Sequence, residues 1–157
     1  KNTILITTNR QALENILPLK FSEVFVNHGK KKMLNFFFVN LKYGLIGLLI
    51  LGIILLPFGN KLLEVLYGQN YSDYAYLLIL FLINYGLVYV SMLQKLFLRS
   101  IEATSVVFLV SIITFFLSSL IASTLVVNFG LLGVVGGLIL MQMISVVLYG
   151  VRMSIKG

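Results

Sequence analysis

The sequence predicts an all-α fold: a polytopic membrane bundle of four transmembrane helices, preceded by an amphipathic or truncated N-terminal helix. Two observations carry this prediction. Of 157 residues, 59% are hydrophobic and 11% charged, with a mean hydropathy of +1.03. A soluble domain has roughly 45–50% apolar and about 25% charged residues, and so little charge does not cover the surface of a domain this small. The apolar residues also gather into four runs, each near the roughly 20 residues needed to cross a hydrocarbon layer.

The first run is FFFVNLKYGLIGLLILGIILLPF, 36–58. Lys42 stands near its start, where a long stem lets the ammonium reach the headgroups. Pro57 kinks an apolar helix without ending it, so the helix is expected to continue to Gly68, a residue suited to a left-handed cap. In that extension Leu62, Leu63, Leu66 and Tyr67 share a face, and Lys61 and Glu64 do not. Tyr67, Tyr71, Tyr74 and Tyr76 cluster here, as tyrosines do at a membrane–water boundary. The other runs are 74–98, 105–127 and 131–151.

Residues 1–35 form a separate unit ahead of the four-span bundle of 36–157. Ala12, Leu13, Ile16 and Leu17 share a helical face that Pro18 interrupts. Phe21, Val24 and Phe25 follow, then His28-Gly29 and Lys30, Lys31 and Lys32. The pattern reads as the end of a truncated helix followed by an amphipathic connector at the interface. The opening KNTILITTNRQ is neither a signal peptide nor a complete span, and reads as the interior of a longer protein.

Twelve Lys and Arg against five Asp and Glu give a net charge of +7. In a soluble protein this excess suggests nucleic acid; here topology accounts for it, and no nucleic-acid partner is expected. Lys20, Lys30, Lys31 and Lys32 precede the first span, Lys95 and Arg99 close the second, and Arg152 and Lys156 follow the fourth. The loops between carry Lys61 alone. Basic residues favour the cytoplasmic side, so both ends of the chain are expected there.

The stretch VNFGLLGVVGG, 127–137, suggests a phosphate cradle at first sight. A cradle needs a strand before the glycines and a helix start after them, often with a lysine; this stretch lies between two apolar spans and has none. Gly130 suits a tight turn between antiparallel spans. Gly133 and Gly137, with Gly136 beside them, suit close helix packing in lipid, with the small residues Ser118, Ser119, Ala122 and Ser123 as a receiving face.

There is no cysteine, which excludes disulfides and thiolate chemistry. The carboxylates Glu14, Glu23, Glu64, Asp73 and Glu102 all lie outside the middle of the spans, and His28 sits in a basic loop. No metal cluster, cofactor motif or acid–base pair emerges, so an enzyme is not expected. Polar and cationic groups remain. Lys95 and Arg99 share a face one turn apart, with Lys42 near the corresponding end of the first span. All three suit an anion as well as ordinary span-end topology. Asn84, Gln94 and Gln142 lie inside spans and suit either a sugar-binding cavity or hydrogen bonds between helices.

Three segments together resemble a known family: ILPLKFSEVF (16–25), LLEVLYGQNYSDYAYLLILF (62–81) and NFGLLGVVGGLIL (128–140). Their order and spacing are similar to the C-terminal part of the polysaccharide-export branch of the multidrug/oligosaccharidyl-lipid/polysaccharide exporter superfamily. The resemblance implies a flippase for lipid-linked oligosaccharide in the bacterial inner membrane. It also implies further helices N-terminal to this chain and an anionic lipid-linked glycan as substrate, to which Lys42, Asn84, Gln94, Lys95 and Arg99 are candidate contacts by their own charge and polarity. A drug or cation-coupled exporter of the same superfamily, and a small four-span protein that packs against a partner, are the alternatives.

Overall fold

The computed structural model describes the backbone of residues 2–156 and the side chains of 16–155 other than those of 72 and 122. The chain is all-α: α1 (Asn2–Tyr67), a short 3-10 helix (Gln69–Tyr74), α2 (Ala75–Ser100) and α3 (Thr104–Lys156). Four segments are long and apolar enough to cross a membrane, within Ile16–Tyr67, Ala75–Ser100, Thr104–Ile121 and Ser123–Ile155. By helix hydropathy the chain is a multi-pass membrane protein.

Two glycines turn three long helices into five limbs. Gly29 has φ 76 and ψ 178, a combination that essentially only glycine adopts without strain. The limbs on either side fold back on one another, since the rings of Phe21 and Phe36 pack edge-on with centroids 5.0 Å apart. Fifteen residues of straight helix would hold them about 22 Å apart. Gly130 (φ 54, ψ −130) does the same in α3. A Cβ on Gly133 would run into the backbone carbonyl of Leu125, so the limbs before and after Gly130 lie side by side.

Proline behaves differently from the sequence expectation in the first limb. Pro18 does not interrupt the helix; α1 runs through both Pro18 and Pro57. Each proline removes one backbone bond, a loss that neighbouring packing and local adjustment absorb in an apolar bundle. The faces of Ala12 and Leu13 lie outside the described side chains. α1 ends as expected at Gly68 (φ 98), whose N–H donates to the Glu64 carbonyl at 2.9 Å.

Among the described residues, α2 lies between α1 and α3, which make no close backbone contact with each other. On one side α1 offers a groove of glycines. A Cβ on Gly44 would collide with the Tyr89 ring and one on Gly52 with Leu82, and one on Gly59 would sit 3.1 Å from Leu78. The Tyr89 hydroxyl also donates to the Asn40 carbonyl at 3.0 Å. At the basic end Phe21, Met33 and Phe37 of α1 close with Leu93, Leu96 and Phe97 of α2 into an apolar cluster. A second cluster joins Leu98 to Ala103, Val107, Val110 and Tyr149.

Candidate functional site

The other side of α2 is polar. Ser91 and Gln94 are buried and reach the final limb of α3: the Ser91 hydroxyl contacts Gln142 Oε1 at 3.3 Å, and Gln94 Nε2 donates to the Val146 carbonyl at 3.2 Å. Lys95 Nζ stands 5.6 Å from the centroid of the Tyr149 ring. Partner numbers rise together along both helices, so α2 and the final limb run parallel. In this register Asn84, seven residues before Ser91, lies level with Val135, seven before Gln142.

Burial makes this seam costly. Asn84 is 8% exposed and Gln94 6%, and neither Asn84 Oδ1 nor Gln94 Oε1 has a hydrogen-bond partner. Each such buried oxygen costs about 1–3 kcal/mol. A helix pair held by apolar contacts alone would avoid that cost. Both oxygens are hydrogen-bond acceptors on buried positions of α2.

The loop that follows α2 fixes the cationic end. Glu102 adopts a left-handed φ of 58. Its N–H donates to the Arg99 carbonyl at 3.1 Å, and the Ala103 N–H donates to the Leu98 carbonyl at 2.9 Å. Leu98 and Ala103 pack in the same buried cluster. This is a Schellman cap with its apolar contact, and it sets where Arg99, exposed in the last turn of α2, leaves the bundle.

The candidate residues thus divide. Asn84, Gln94, Lys95 and Arg99 lie along one helix, with Asn84 and Gln94 buried, Lys95 half-buried and Arg99 exposed. Gln94 and Gln142 both take part in contacts between helices. Lys42 stands apart. It is exposed, and two residues from Asn40 and from Gly44 means roughly 200° around the helix, away from the edge of α1 that receives Tyr89.

Gly133 is buried against the Leu125 backbone, and a Cβ on Gly137 would sit 3.4 Å from Leu125 Cδ1. The atoms nearest a Cβ on either glycine belong to Leu125 and Val126. Ser118 and Ser123 instead bond back to the carbonyls of Phe115 and Leu120, and the Ala122 side chain lies outside the described residues. Gly136 is exposed, with nothing within 4 Å of its Cβ position.

No protein-family model, curated protein or solved structure matches the chain.

Among the described residues no group of three or more His, Cys, Asp or Glu could hold a metal ion. The arrangement offers buried neutral acceptors along the seam, a lysine held against an aromatic ring, and an exposed arginine one turn further on. Acceptors and cations of these kinds have the chemistry to suit a polar, anionic molecule.

The sequence reading passed over Gly44, Gly52 and Gly59, which shape the α1–α2 contact. A signal was present: they fall within about 80° of helix arc.

Proposed function

We propose that this chain forms the C-terminal part of a transporter that moves lipid-linked oligosaccharide or polysaccharide repeat units across the bacterial inner membrane. The observation that carries the reading is Lys95. Lys95 lies near the end of its span and is half-buried there. Among the described residues it has no carboxylate partner, and its ammonium lies against the Tyr149 ring. A phosphate-bearing lipid headgroup supplies the missing anion. The unpartnered oxygens of Asn84 and Gln94 suit sugar hydroxyls, which are donors. The three segments at 16–25, 62–81 and 128–140 support the same reading through their resemblance to exporters of lipid-linked glycans.

The test is glycan flux in cells that lack the complete reading frame. The proposal expects lipid-linked glycan to accumulate on the inner leaflet and surface glycan to disappear, both restored by the intact gene. Unchanged surface glycan together with raised drug sensitivity would assign the protein to drug export instead.

A further inference from the structure

We infer that the groove at the tyrosine-rich end, remote from Lys95 and Arg99, seats one phospholipid with an ammonium headgroup, of the phosphatidylethanolamine class. The groove is an open slot of about 770 Å³ between the end of α1 and the start of α2, with Leu131 of the final limb at its side. Its chemistry changes with depth. Tyr67, Asn70, Tyr71 and Tyr74 form the outer rim, and below them the wall is leucine down to Phe81. From Tyr74 to Phe81 is about 10 Å along the helix. A polar, aromatic rim above an apolar slot matches one lipid at its own depth, with its head at the rim and its acyl chain below.

Charge selects the headgroup. Between Tyr43 and Gln94 the charged residues are Lys61, Glu64 and Asp73, and between Ala103 and Val151 there are none. Lys61 and Glu64 face away from the groove. They lie about 170° and 130° around α1 from the middle of the wall formed by Leu62, Leu63, Leu66 and Tyr67. Asp73 does not face away. It belongs to the 3-10 helix Gln69–Tyr74, where residues three apart eclipse one another. Tyr74 therefore stands over Tyr71, and Asp73 over Asn70. The first pair is seen directly, with ring centroids 6.2 Å apart. Asn70 lines the groove, so Asp73 sits on the rim. Four helix ends meet here, those of α1, α2 and the two limbs at Gly130. Two are amino and two carboxyl, so their dipoles cancel and Asp73 sets the local sign.

An ammonium gains from that carboxylate and from the faces of the tyrosine row, which Tyr67 continues at 5.8 Å from Tyr71. The phosphate of the same lipid takes the neutral donors of the rim, the Asn70 amide and the tyrosine hydroxyls. Phosphatidylglycerol carries the phosphate without the ammonium and meets Asp73 as a like charge. None of this depends on the transport reading.

The sequence has no tryptophan, so Phe81→Trp places a single reporter at the deep end of the groove. The experiment uses the full chain in nanodiscs of equal phosphatidylethanolamine and phosphatidylglycerol, with bromine on the acyl chains of one or the other. Brominated phosphatidylethanolamine should quench the reporter about threefold more than brominated phosphatidylglycerol. Asp73→Asn should bring the two lipids to parity, Asp73→Glu should restore the preference, and Lys61→Gln should leave it unchanged. Equal quenching in the parent would mean bulk lipid, and no quenching by either lipid would mean that protein covers the groove; each overturns the proposal. A preference that survives Asp73→Asn would overturn the headgroup assignment.

Discussion

The ammonium of Lys95 stands 5.6 Å from the centre of the Tyr149 ring, a contact between two parallel helices at the basic end of the bundle. Tyr149 is 1% exposed, and its hydroxyl lies 3.4 Å from Ser111 Oγ and 3.5 Å from the Val107 carbonyl. The ring does most of the work, because these two hydrogen bonds are at the long limit. Tyr149→Phe is therefore expected to lower stability by less than about 1 kcal/mol. Tyr149→Leu removes ring packing and the cation–π contact together and should cost about 2–4 kcal/mol. Thermal unfolding in detergent measures both; equal losses would show that the hydroxyl, not the ring, matters.

The glycines should separate by mechanism. Gly133→Leu drives a side chain into the Leu125 backbone, and Gly44→Leu drives one into the Tyr89 ring. Overpacking of this kind costs about 1–3 kcal/mol or more, with Gly133 the worse because backbone cannot swing away. Gly136→Leu meets open space and should change stability by less than about 0.5 kcal/mol. At Gly29 the cost is conformational: nothing lies within 4 Å of its Cβ position, yet φ is 76. Gly29→Ala should still cost about 1–3 kcal/mol. Unfolding curves in which Gly136→Leu is as damaging as Gly133→Leu would contradict this assignment.

Four spans, the helix past Pro57 and the break at Gly68 are legible in the sequence because they depend on local pattern: run length, face and a single capping residue. The apolar wall formed by Leu62, Leu63, Leu66 and Tyr67 is legible for the same reason. With Leu77, Leu78 and Phe81 it lines an open groove of about 770 Å³ at the tyrosine-rich end. The continuation through Pro18 is not legible, because a local penalty yields there to packing by Phe21 and its neighbours in the basic-end cluster. Helix periodicity assigns a residue to a face but does not name the neighbour on that face. Hence Lys95 and Arg99 are visible as a pair while Tyr149, fifty-four residues beyond Lys95, is not. The glycine groove at 44, 52 and 59 is hidden for the same reason.

Glu102 occupies a left-handed position in the cap that ends α2, where a Cβ costs about 1–2 kcal/mol. Glu102→Gly relieves that strain but gives the unfolded chain more freedom. A net gain of up to about 1 kcal/mol is expected, seen as a higher midpoint of thermal unfolding. A lower midpoint would show that the carboxylate itself holds the loop.

Orientation provides a further check. Single cysteines at Lys31 and Glu102 should react from the cytoplasmic side alone, and one at Asn70, beyond the tyrosine cluster, from the opposite side alone. All three positions are exposed, so access does not limit labelling. Reaction of the Asn70 and Glu102 sites from the same side would break the four-span topology.

The most direct measurement of the transport account is surface glycan in cells whose complete protein carries Lys95→Gln and Arg99→Gln together. Glutamine keeps length and hydrogen bonding and removes charge from one face of α2. At equal membrane level and unchanged cysteine-labelling pattern, the account predicts surface glycan reduced at least about tenfold, the loss of roughly 1.4 kcal/mol or more of anion stabilisation. Undiminished surface glycan at equal expression would contradict it and leave both residues as topology determinants.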